Sequence, residues 1–149
     1  MIYKYSFSIT GDNFYPERVI KNIKVFEIGS FFSPTDKRVW VKIEEYGYGN
    51  LSFWHPKKFA TEDEILIYEK DFIEFIEKNY HLFIDNGVNE FEMFIEIYFD
   101  GGQCNFELFN KDFFKKVAKI GVSIPVSIYV LSADDIQKWE NEIRLNWKM

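Results

Sequence analysis

The sequence predicts an α+β fold: a mainly antiparallel sheet with helices packed on one face, in two layers. Three observations predict it. Residues 2–10 and 90–99 alternate apolar and polar side chains with the period of a half-buried strand. Residues 61–83 carry apolar side chains at helical spacing. Strand and helix segments do not alternate one for one along the chain, so hairpins outnumber crossovers.

The first strand places Tyr3, Tyr5, Phe7 and Ile9 on one side and Lys4, Ser6, Ser8 and Thr10 on the other. Gly11, Asp12 and Asn13 end it, and Pro16 suits the first position of a short helix with Val19, Ile20 and Ile23 inward. The stretch "EIGSFFSPTDKRVW" reads as a loop because Gly29, Ser33, Pro34 and Asp36 interrupt it. Strand signal returns at "RVWVKIEEY" and "NLSFWHP", a predicted hairpin around Gly47 and Gly49. Thr61 is the expected N-cap of the long helix, with Glu64 completing a capping box. Ile65, Tyr68, Phe72, Ile76, Tyr80 and Phe83 form its inner stripe, and Glu69, Lys70, Glu74, Glu77 and Lys78 are assigned to the opposite face. The segment "DNG" at 85–87 stops it.

The stretch "EFEMFIEIYFDGGQCNFELFN" then reads as a second hairpin turning at 100–102. Its inner face holds Phe91, Met93, Ile95, Ile97 and Phe99; its outer face holds Glu92, Glu96, Tyr98 and Asp100. Asn110 caps a following helix that closes at Gly121. In the last strand Val122, Ile124, Val126, Ile128 and Val130 share a face, and Pro125 marks an edge position or a bulge. Residues 133–149 form a helical tail with Ile136, Trp139, Ile143 and Trp147 on one side, a stripe that either covers the core or mediates a homodimer. The whole reads as one domain, 1–149, with two halves resembling a split β-α-β arrangement.

Composition excludes several functions. With 149 residues the chain buries roughly two thirds of the surface it exposes unfolded. A net charge of −6 and a pI near 5.0 argue against nucleic acid and permit a basic partner. Its one cysteine, Cys104, precludes an internal disulfide and reads as an inert core thiol. The opening "MIYKYSFSIT" lacks the apolar run of a signal peptide, and no segment reaches the ~20 apolar residues of a membrane span. A soluble, cytoplasmic chain that does not bind membranes is expected.

No phosphate loop, nucleophile elbow or metal-ligand motif is present, and His55 and His81 stand apart from each other and from Cys104. No catalytic residue, cofactor or metal ligand is therefore assigned. Carboxylates on the polar side of a strand are ordinarily solvated, and catalysis would need one shielded beside an apolar wall. The mixing of acidic and aromatic residues stands out more. Glu44, Glu45, Tyr46 and Tyr48 in the first hairpin, with Glu92, Glu96 and Tyr98 on the second, make a candidate protein-binding surface. Ordinary packing of half of these side chains is the plainer account. Trp40 and Trp54 are the candidates for lining an alternative small-molecule pocket on the sheet.

The order of a strand ending at Gly11, the segment "FYPERVIKNI", a Pro34 loop, "LSFWHP", the long helix, the second hairpin and "NKDFFKKVAKIGVSIPVSIYVL" resembles the DUF4279 family of small bacterial domains, over roughly residues 3–131. The stretch after Pro34 departs from that pattern: it lacks the Gly-rich, Arg-containing run expected before the tryptophan. Members of that family are often found near polymorphic toxin systems. The resemblance implies a non-enzymatic immunity protein that docks on a cognate toxin, and it transfers no catalytic residue. The alternative is a small-molecule-binding or regulatory domain.

Overall fold

The computed structural model describes residues 1–38, 44–102 and 108–146, the last three by backbone alone. Strand β1 (Ile2–Gly11) is followed by two short 3-10 turns (Pro16–Arg18 and Ile20–Asn22) and by β2 (Glu27–Phe32), β3 (Gly49–Trp54) and β4 (Ala60–Thr61). Helix α1 (Ile65–Asp85), β5 (Glu90–Phe99), α2 (Lys111–Ile120), β6 (Val122–Ser123), β7 (Val126–Val130) and α3 (Ala133–Asn146) complete it. This is an α+β fold.

The sheet runs β2-β3-β1-β5-β6, with β4 beside β1 past the end of β3 and β7 beside β5 past the end of β6. All pairings are antiparallel except those of β5 with β6 and β7. The split arrangement occurs twice: β3 lies between β1 and β2, and β1 lies between β4 and β5, the strands joined through α1. The β5-α2-β7 unit is an ordinary parallel crossover.

Alternation decides which face of β1 is inside. Tyr3, Tyr5, Phe7 and Ile9 are buried with Tyr68, Phe72, Ile76 and Phe83 of α1, while Lys4, Ser6, Ser8 and Thr10 are half-exposed on the other face. Phe113 and Val117 bring α2 to the same core. Helix α3 is placed differently. Its Ile136 and Ile143 cluster with Ile2, and Tyr98 and Trp139 pack against them. Ile2 and Tyr98 are cross-strand partners on the side of Lys4 and Glu96, away from α1. The expectation of helices on one face therefore holds for α1 and α2, and α3 forms a third layer over one end of the opposite face. Its apolar stripe, offered by the sequence either to the core or to a second copy, is spent on the sheet; Trp147 lies outside the described residues.

Three local expectations differ from the structure, and one more falls largely outside the described residues. Residues 27–32 form a strand where breakers suggested a loop, because β2 pairs with β3 despite a register irregularity between Ile28 and Phe31. The predicted strand 38–46 falls mostly outside the described residues; its flanks are joined by one Lys37–Glu45 bridge. Thr61 does not cap α1. It belongs to β4, and the helix starts at Ile65, although the Thr61 N–H donates to the Glu64 carboxylate as a capping box requires. The second hairpin does not form as read: β1 occupies one flank of β5, and β6 and β7 occupy the other. Its second arm, with Cys104, lies outside the described residues. By contrast, Asn110 accepts from the Asp112 and Phe113 N–H groups at 3.0 Å each, and Gly121 closes α2 in the left-handed region. Pro125 falls in the break between β6 and β7.

Candidate functional site

The face of the sheet opposite α1 is open away from α3. Register builds it in rows: Ser52, Ser8, Glu92 and Ser123 lie side by side, and Asn50, Thr10 and Glu90 form the next row. Over these rows, Ser52 excepted, lies a hollow of about 680 Å³, also lined by Asp12, Asn89 and Tyr48. The Asn50 side-chain amide donates to the Thr10 hydroxyl at 3.1 Å. None of the described lining residues is a cation, and three (Asp12, Glu90 and Glu92) are carboxylates. This end of the face is polar because alternation sends Tyr5, Phe7 and Ile9 of β1 to the other side and leaves Ser6, Ser8 and Thr10 here.

The turn before β3 supplies an aromatic border. Tyr46 stacks on Phe32 with ring centroids 3.7 Å apart, and Tyr48 meets both rings edge-on. Glu44 and Glu45 are exposed beside them, Glu44 with Arg38 at 3.9 Å. The structure thus brings Tyr46, Tyr48 and Glu92 into one region, joined through Tyr48. Asp12 and Glu90 belong to it too, and sequence reading missed them. Glu90 sits at the strand end and shares the outward parity of Glu92, a signal the alternation already carried.

Glu96 and Tyr98 are engaged elsewhere. Glu96 accepts from Lys4 and from the Tyr98 hydroxyl, the latter at 2.9 Å. Tyr98 stacks on Tyr129 at 5.0 Å and packs on Trp139 of α3. Burial first, then the Glu96 bond, pushes its phenol up from the ordinary value. Both residues serve the seat of α3. Trp54 is 42% exposed in the row Trp54, Ser6, Phe94, outside the lining of the hollow. Trp40 lies outside the described residues.

Searches against protein-family models, curated proteins and solved structures find no match to this chain.

Among the described residues one carboxylate is buried. Glu69 is 3% exposed, although the sequence reading put it on the solvent side of α1. It stands four residues after Ile65 and three before Phe72, so the helical repeat itself turns it inward. Its Oε1 accepts from the Tyr5 hydroxyl at 2.9 Å and from the Phe109 N–H at 3.3 Å. Phe109 has a positive φ of 61°, a strained conformation for a side chain of this size. Glu69 also borders a cleft of about 300 Å³ between α1 and α2. A shielded carboxylate beside a cleft is what a carboxylate enzyme requires, but these bonds give Glu69 a structural task, fixing the loop that enters α2.

The neighbouring phenols make a pH prediction. Tyr68 donates to the Lys58 carbonyl and accepts from the Tyr5 N–H, each at 3.2 Å. Burial raises both phenols far above the ordinary 10.0, and the Glu69 charge adds to the effect at Tyr5. Unfolded phenols ionise near pH 10 while the folded pair stays protonated. Their contribution is therefore intact below that pH and is lost as pH rises above it. Titration by ultraviolet absorbance should show these two phenolates appearing only as the circular dichroism of the fold collapses. Ionisation of all nine tyrosines with the fold intact would contradict this.

A second cleft, of about 420 Å³, runs between α1 and the segment 22–26, with Phe26 and Phe75 beside His55 and Asp71. The His55 Nδ1 accepts from the Lys57 N–H at 3.0 Å, and Nε2 lies 3.1 Å from Asp71. Both ring nitrogens are engaged, so these bonds hold the ring in place. Among the described residues no three His, Cys, Asp or Glu side chains converge as metal ligands would, and no helix is long and apolar enough to cross a membrane.

Proposed function

We propose that this chain is a non-enzymatic binding domain that docks a basic protein on the open face of its sheet and the aromatic turn beside it. The observation that carries this reading is the hollow whose described lining holds Asp12, Glu90 and Glu92 and no cation, bordered by Tyr48. Carboxylates around an open concave surface attract a basic partner and raise its association rate, and tyrosines supply contact area at low entropy cost. The net charge of −6 acts in the same direction. The resemblance to the DUF4279 family suggests the partner: a cognate bacterial toxin, neutralised in the cytoplasm by steric and electrostatic cover.

The test is co-purification with the product of the adjacent gene, followed by binding kinetics. Glu90→Lys with Glu92→Lys should weaken binding about tenfold or more, chiefly through the association rate and with a reduced salt dependence. Glu44→Lys with Glu45→Lys should do the same to a lesser degree. Binding unchanged in both double variants rejects the surface. The size and polarity of the same hollow also favour a second reading, a polar small molecule held on the sheet. A thermal shift with such a ligand, abolished by Glu92→Lys, would decide for it.

A further inference from the structure

Strand β7 pairs with β5 along one flank, and among the described residues no strand pairs with the other. Val126, Ile128 and Val130, aligned with Ile95, Ile97 and Phe99, are 46%, 56% and 67% exposed. The sequence places these side chains on one face, and neither α1 nor α2 reaches far enough to cover them. Natural edge strands are blunted by charges, proline or bulges. From 126 to 130 this one carries none of these, and Pro125 guards only its start.

We propose that β7 pairs antiparallel with the β7 of a second copy, about a twofold axis near Ile128, joining two sheets into one. The strand is self-complementary under that operation. Ile128 meets its own counterpart, Val126 meets Val130, and Ser127 meets Tyr129 on the other face. Charge selects the same seam. Two chains each carrying −6 repel over most of their surfaces, and a strand without charge is where they approach without like-charge contact. The apolar stripe of α3 is already buried on its own sheet, so the edge strand supplies the contact. A seam of five residues, roughly 17 Å long, is short, which makes this a weak, concentration-dependent dimer.

Sedimentation of the full chain from about 10 μM to about 1 mM should show the mass rising toward that of a dimer. Ile128→Lys places two ammonium groups face to face at the axis and should weaken association by about tenfold or more. Because Ile128 is largely exposed, the variant should keep its circular dichroism; Val130→Lys is the second variant if it does not. Hydrogen exchange of the unaltered chain provides an independent reading, with amides 126–130 gaining protection as concentration rises. A chain that stays monomeric to about 1 mM overturns the proposal, and so does a dimer indifferent to both lysines or one that leaves 126–130 unprotected.

Discussion

Gly49→Ala should unfold the protein or lower its stability by more than about 4 kcal/mol. A methyl group added at Gly49 would lie 1.8 Å from the carbonyl oxygen of Phe14. That oxygen cannot withdraw cheaply. The Phe14 ring is fully buried, and its N–H is held by the Gly11 carbonyl at 3.1 Å. Gly11 is the cross-strand partner of Gly49, and a methyl group there would lie 2.0 Å from the Gly87 carbonyl oxygen. The two glycines thus let three chain segments meet backbone to backbone at the end of β1 and β3. Neither requires a positive φ, so the effect is purely steric. Urea denaturation checks it: an alanine variant with an unchanged midpoint would show that the Phe14 backbone yields after all.

Phe7→Ala should cost about 3–5 kcal/mol, a large share of the 5–15 kcal/mol that holds a typical domain. Phe7 is wholly buried on the central strand, with Phe53 and Phe91 stacked on either side at 6.1 and 6.2 Å and Phe75 edge-on from α1. Its removal empties the centre of a cluster whose members sit on three strands and a helix. Rigid strands on both sides prevent collapse, so most of the cavity persists. Phe114→Ala is the matched control: that ring is half exposed on α2 and its loss should stay within about 0.5 kcal/mol. Equal shifts of the urea midpoint in the two variants would contradict the assignment of the core.

The strongest periodic signals were the most dependable. The alternation of β1 and β5 and the helical stripe of α1 correspond to faces that the structure buries, because each repeat is tied to one backbone geometry. The caps at Asn110 and Gly121 were legible for the same reason: they are satisfied within four residues. Strand β2 was not, since Gly29 and Ser30 carry no strand signal and pairing with β3 alone makes it one. Of the candidate site, the acidic and aromatic residues of the turn and of Glu92 were readable. Glu90 was legible in the same alternation and was overlooked, whereas Asp12 joins them only because the tertiary fold brings the end of β1 beside the start of β5.

Amino-acid order alone therefore determined which side chains are greasy on one side of each element, where α2 is capped, and that the fold is α+β. Tertiary structure alone decided that β5 lies between β1 and β7, that α3 covers one end of the outer face, and that among the described residues no strand pairs with the free edge of β7. The physical reason is range. Periodicity and capping are satisfied by neighbours along the chain, whereas strand order and coverage depend on which of several similar apolar faces meet, and that is settled by packing all of them at once.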